Sequence, residues 1–172
     1  MVTDINKILE DKEYISIVSE ILRNDKVLKM KQYRQHHNMD CFNHCLFVSY
    51  NTYLICKKHN LDYVSAAKAG MVHDLFLYDW RKRENGRKGF HAFTHGKTAY
   101  KEASTFLDLN DKEKDMIIKH MWPVTPAFPK YKETFIITYV DKFFAVAEAF
   151  IKVEETEKEM SLKYGRSNGQ WL

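Results

Sequence analysis

The stretch "AAKAGMVHDLFLYDW", Ala66 to Trp80, is a run of small and apolar residues interrupted at its centre by the adjacent ionisable pair His73-Asp74. A helix that is apolar on nearly every side has no face to give to water, so it must be a central element of its fold. The rest of the chain supplies helices to surround it. Only six glycines and three prolines punctuate the 172 residues, and no segment sustains the period-2 alternation of a half-buried strand. The expected class is all-α.

Helices are predicted over Asp4 to Leu9, Tyr14 to Leu22, Asp25 to Gln35, Asp40 to His59, Asp62 to Phe76, Thr94 to Leu107, Asp111 to His120 and Glu133 to Lys158. At Asp25, Asp40, Asp62, Thr94 and Asp111 a side-chain oxygen can accept from the free backbone N–H groups of the first turn. Two connections are longer than a turn: the basic "YDWRKRENGRKGFHAF", Tyr78 to Phe93, and "MWPVTPAFPKY", Met121 to Tyr131, which holds all three prolines. Both are candidate rims of a site, because functional loops sit on rigid scaffolds. The polar tail from residue 160 to 172 is expected to fray. With no repeat and no shift of composition, residues 1–172 read as a single domain.

Hydrophobic residues at 45% and charged residues at 29% describe an ordinary globular chain. No window reaches the roughly 18 to 20 consecutive apolar residues of a membrane span, and "MVTDINKILEDKEY" carries acids where a signal peptide needs an apolar core. A cytoplasmic location without membrane contact is the expectation. Twenty-seven Lys and Arg against 23 Asp and Glu leave a formal charge of +4, too small and dispersed to argue for nucleic acid but compatible with a small anionic substrate. Cys41, Cys45 and Cys56 form no CxxC pair and read as reduced core thiols.

The chemistry lies in the histidines. His44 falls early in the long apolar helix, on a face continued by Phe47, Val48 and Asn51. His73-Asp74 closes the next helix, His95 opens the following one, His120 closes its successor, and Asp141 lies in "FIITYVDKFFAVAEAF". A buried carboxylate without a partner costs several kcal/mol or takes up a proton. Either a satisfied hydrogen-bond network or bound metal ions would remove that cost. Four histidines and two aspartates, drawn from five different helices, are more than a network requires. Neutral imidazoles and ionised carboxylates on facing helices are what a divalent transition metal prefers. Asp74, with two oxygens, is the natural bridge of an ion pair about 3.5–4 Å apart, whose shared water ionises near neutral pH.

With these residues in order the sequence resembles the HD-domain superfamily of metal-dependent phosphohydrolases, through the pattern H…HD…H…H…D at His44, His73-Asp74, His95, His120 and Asp141. It also resembles a group of small bacterial HD proteins of undefined substrate, through "HDLFLYDW", "HAFTH", "KHMWP" and "DKFFA", over about Gln35 to Glu148. The resemblance implies that His44, His73, Asp74 and Asp141 hold one metal, and that Asp74 bridges to a second held by His95 and His120. Two divalent transition-metal ions, Fe, Mn, Co, Ni or Zn, are the implied cofactors. The doublet lacks the lysine of the "HDIGK" seen in cyclic-di-GMP phosphodiesterases, and no acidic pair stands where alarmone hydrolases carry one.

His91, four residues before His95, is the competing ligand, and His95 is preferred because it precedes "GKTAYKEA". His36 and His37 are rim candidates, and His59 is expected in solvent. Arg81, Lys82, Arg83, Arg87 and Lys88 follow the doublet's helix; Arg81, Arg83, Arg87 and, beside His95, Lys97 are the candidate contacts to phosphate oxygens. Lys142, beside Asp141, is a candidate for neutralising transition-state charge. The function expected is an HD-type hydrolase in which a metal-bridging hydroxide at Asp74 cleaves a phosphoester or phosphoanhydride of a nucleotide or other small phosphorylated metabolite. The alternatives are an HD-type diiron oxygenase acting on a polyol or phosphonate, since such enzymes share the six-ligand order, and a non-catalytic nucleotide-sensing module. The aromatic-rich C-terminal helix could serve a homodimer.

Overall fold

Residues 1–35, 39–82 and 89–147 are described by a computed structural model. Within them lie eight α-helices and no strand: α1 (Ile5–Glu10), α2 (Lys12–Leu22), α3 (Asp25–Lys29), α4 (Cys41–Lys58), α5 (Tyr63–Val72), α6 (His91–Ala103), α7 (Asp111–Lys119) and α8 (Lys132–Ala147). The all-α expectation holds. The continuation of α8 expected as far as Lys158, and the tail from residue 160, lie outside the described residues.

Helix α4 is the axis of the fold. From Cys41 to Tyr53 every one of its residues is buried, and it packs chiefly against α5 and next against α8. Contact between α4 and α5 is close because Gly70 lets α5 approach the backbone of Ser49: a Cβ on Gly70 would lie 2.5 Å from Ser49 Cα. The Ser49 hydroxyl donates to the Ala67 carbonyl at 2.6 Å and accepts from Tyr14 Oη at 2.8 Å, which ties α2 to both central helices. Around them Phe42, Phe47, Tyr53, Phe76 and Phe144 are fully buried, each such side chain stabilising the fold by roughly 1.5–3 kcal/mol.

Helix starts follow capping chemistry with three corrections. Asp40 and Asp62 cap α4 and α5 through the N–H groups of Asn43 and Ser65. The caps expected at Asp25 and Asp111 belong instead to the preceding Asn24 and Asn110; Asn110 completes a reciprocal capping box with Glu113. Thr94 is no cap at all. α6 begins a turn earlier, at His91, with Phe90 before it and no side-chain cap, and the Thr94 hydroxyl turns back to the Phe90 carbonyl. The helix expected from Asp25 to Gln35 is α3 followed by a 3₁₀ turn at Met30–Gln32. Likewise α5 stops at Val72 rather than Phe76, leaving His73 as its C-cap and Asp74 beyond it.

No helix among the described residues is long and apolar enough to cross a membrane. Cys41, Cys45 and Cys56 are free and buried, as expected.

Candidate metal centre

The early end of α5 has a direct consequence for chemistry. Successive residues of a continuous helix diverge by about 100°, but with the chain already leaving the helix, His73 and Asp74 both reach one point. Around that point the bundle gathers His44 from α4, His95 from α6, His120 at the C-terminus of α7 and Asp141 from α8, all buried. They fall into two sets that share Asp74: His44, His73, Asp74 and Asp141, and Asp74, His95 and His120, with ligand atoms within 4.8 Å of one another in each.

Asp74 divides its oxygens between the sets. Oδ2 lies 3.9 Å from His44 Nε2 and 3.7 Å from His73 Nε2, whereas Oδ1 lies 3.2 Å from His95 Nε2 and 3.5 Å from His120 Nε2. Asp141 Oδ1 closes the first set, 3.1 Å from His44 Nε2 and 3.5 Å from His73 Nε2. Three of the histidines are held from behind. Nδ1 of His73, His95 and His120 each meets a backbone carbonyl at 2.8 Å, that of Gly70, His91 and Ile117 respectively. A carbonyl only accepts, so each Nδ1 carries a hydrogen and each Nε2 is turned to the cluster, where it gives a lone pair to a cation once deprotonated.

The electrostatics fit cations. Burial pushes the Asp74 carboxyl up, but His73, His95 and His120 outweigh it and hold it well below the usual carboxylate range. Burial is likewise overcome at Asp141 by the neighbouring imidazoles of His44, His73 and His120, and its pKa is lowered. Burial and the neighbouring His95 drive His120 down to about 3, which keeps it neutral. At His73 and His95 burial opposes the charge, yet nearby anionic groups, Cys45 and Asp74 for the former and Asp74 for the latter, raise both. His73 Nε2 and Asp74 Oδ1 are buried without any hydrogen bond. Imidazole nitrogens and ionised carboxylates turned to one point are the donor set of a divalent transition metal, which would take the place of the protons favoured on His73 and His95, and the six residues fit one or more such ions.

The cluster opens on a cleft of about 810 Å³. Asp74, His95 and Asp141 contribute to its lining, and Trp80, Arg81, Phe90, His91 and Met121 contribute to the remainder. Arg81 therefore stands at the cleft, its guanidinium paired with Asp79 at 3.0 Å. Lys97 is exposed on α6 and is not among the cleft's lining residues. Lys142, half-buried, donates to the His120 carbonyl at 3.2 Å, and burial lowers its pKa. His91 lies outside both ligand sets; its Nδ1 is 3.1 Å from Tyr78 Oη, and its ring stacks between those of Trp80 and His95. His59 is exposed at the end of α4. His36, His37, Arg83 and Arg87 lie outside the described residues.

One residue escaped the sequence reading. Gln35 is buried against the cluster, and its Nε2 donates to Asp74 Oδ2. Nothing in its spacing marks it, because it reaches the site from a loop rather than from a periodic helix face. No protein-family model, curated protein or solved structure matches this chain.

Proposed function

We propose that this chain is an HD-type, metal-dependent phosphohydrolase that cleaves a phosphoester or phosphoanhydride of a small metabolite. One observation carries the reading: Asp74 turns one oxygen to each of two ligand sets, in the lining of a cleft that also holds an arginine. When bound, two ions held by these sets would supply an ionised water at neutral pH and positive charge for the phosphoryl oxygens. The chain's own residues do the rest. Asp74 and Asp141 provide the negative charge that holds cations in a buried site, and the carbonyls of Gly70, His91 and Ile117 fix three imidazoles so that no reorientation is needed. Arg81 offers a guanidinium to phosphate oxygens at the cleft. Phe90, His91 and Ala92 line the same cleft at the N-terminus of α6, where the positive end of the helix dipole adds to the attraction for an anion.

The test is metal analysis of protein purified without air, followed by assay with Mn²⁺, Fe²⁺, Co²⁺ or Ni²⁺ on nucleotides, dinucleoside polyphosphates and sugar phosphates. Phosphate release that disappears in Asp74→Ala is expected. Well under one equivalent of any transition metal, unchanged by Asp74→Ala, overturns the metal reading. Tightly held iron with oxygen consumption on a polyol or phosphonate, and no phosphate release across the panel, overturns hydrolysis in favour of oxidation.

A further inference from the structure

The cleft is far larger than a phosphate group needs. At about 810 Å³ it falls in the range of sites that enclose a whole small molecule. Outside the metal-binding cluster its lining is largely aromatic and small: Trp80, Phe90 and His91, with Gly89, Ala92 and Met121 between and beside them. These rings are held in place before any ligand arrives. The Trp80 indole N–H donates to the carbonyls of Arg34 and Gln35 at 3.1 and 3.3 Å. Its ring lies 14° from parallel to His91 at 5.4 Å between centroids, and His91 in turn lies 25° from parallel to the ligand His95 at 4.6 Å. A stack of three rings thus runs from the cleft wall to the cluster.

Phe90 stands at the end of this wall with 71% of its surface exposed, and its neighbour Phe93 is 53% exposed. The two rings touch edge to face, 6.4 Å between centroids. Packing does not account for Phe90: it immediately precedes α6, where a capping residue would normally stand, and it contributes to the cleft instead. A rigid tryptophan and an exposed phenylalanine beside an anion-attracting centre suit a ligand that is charged at one end and flat at the other.

We infer that Trp80, His91 and Phe90 form a subsite for a planar heteroaromatic ring, so that the ligand is a phosphorylated compound carrying a base, as a nucleoside phosphate does. The inference rests on the phosphohydrolase reading for the phosphate end and on the aromatic wall alone for the ring. Gly89 and Ala92, the smallest residues of the lining, leave the wall room for a ring edge. Stacking accepts any flat ring, so the subsite discriminates ring from no ring more strongly than base from base.

Binding of the four common ribonucleoside 5′-monophosphates, of ribose 5-phosphate and of adenosine to the metal-loaded full chain, measured by calorimetry, tests this. At least one nucleotide should bind ten-fold or more tightly than ribose 5-phosphate. Phe90→Ala, at a position too exposed to unfold the chain, should erase most of that margin without weakening ribose 5-phosphate, and Phe90→Tyr should restore it. Nucleotides no tighter than ribose 5-phosphate, a margin that survives Phe90→Ala, or no binding of any ring-bearing probe each overturns the subsite. Phe90-dependent adenosine binding in a protein that releases phosphate from nothing keeps the subsite and discards the hydrolase. Phosphate release with no ring preference does the reverse.

Discussion

His95 Nε2 and His120 Nε2 face each other at 2.7 Å, each with its Nδ1 hydrogen committed to a carbonyl behind it. Two lone pairs at that distance repel unless a proton or a cation lies between or beside them, and Asp74 Oδ1 stands 3.2 Å from the first and 3.5 Å from the second. Removing either histidine should therefore remove one ion and not the other. Mass-spectrometric metal analysis is expected to give about two equivalents for the native chain, about one for His95→Ala or His120→Ala, and close to none for Asp74→Ala. Ions that bind only the native state, present at 100 times their dissociation constant, should add about 2.7 kcal/mol to stability. A chelator should lower the melting temperature of the native chain while leaving Asp74→Ala unmoved.

The position of His95 depends on its neighbour. A Cβ on Gly96 would lie 2.8 Å from the Ile117 carbonyl oxygen and 3.1 Å from that of Ile118, and these are backbone atoms of α7 that cannot turn aside. Gly96→Ala should push α6 away from α7, at a cost of about 1–3 kcal/mol, and should separate His95 from His120. Urea unfolding of the metal-free protein reads the first effect and metal titration the second. A variant as stable as the native chain, with full metal content, would show that the two helices can slide apart without consequence.

The helical class was legible in the scarcity of glycine and proline, and the centrality of α5 in its all-round apolar composition. The order His44, His73, Asp74, His95, His120 and Asp141 was legible because each residue sits on, or just past the end of, a helix that is apolar all round or along one face. Boundaries were less so. Asn24 and Asp25, like Asn110 and Asp111, are adjacent residues both able to cap, and only the backbone decides between them. α6 starts without a capping side chain, so its true beginning left no mark. Trp80 and Gln35 enter the site from loops, and such approaches are fixed by tertiary packing, which no local pattern encodes.

Away from the centre, Asp115 gives a clean dependence on acid. Its carboxylate accepts from Lys130 N–H at 2.9 Å and the Thr134 hydroxyl at 2.7 Å, and pairs with Lys119 at 2.5 Å. Burial raises its pKa, but these partners outweigh burial and leave it lowered. A carboxyl with a lowered folded pKa contributes stability that is complete above its unfolded value, about 3.9, and is lost as pH falls from there through the folded value. Asp115→Asn should therefore cost about 1–3 kcal/mol at pH 7, with the gap to the native chain shrinking below pH about 4. Urea unfolding at pH 7, 5 and 3 measures it. A gap that widens in acid would contradict the assignment.

Gln35 offers the most specific test of how the Asp74 carboxylate is held. Asp74 is ionised and only accepts, so the amide of Gln35 has one workable orientation, with its N–H end toward Oδ2. Its backbone cannot drift, since its N–H donates to the Met39 carbonyl at 3.0 Å and its carbonyl accepts from Trp80. Oδ2 belongs to the set of His44, His73 and Asp141, so loss of the amide should loosen that set first. Gln35→Leu is expected to weaken metal binding about 10–100-fold, with little change in the stability of the metal-free protein. Gln35→Glu instead sets a second carboxylate against Asp74: the metal-free chain should lose stability, and a cation should relieve the repulsion, so affinity should exceed that of Gln35→Leu. Cobalt titration followed by absorbance separates these outcomes. Equal affinity in the native chain and Gln35→Leu would mean that α5 alone holds Asp74 in place.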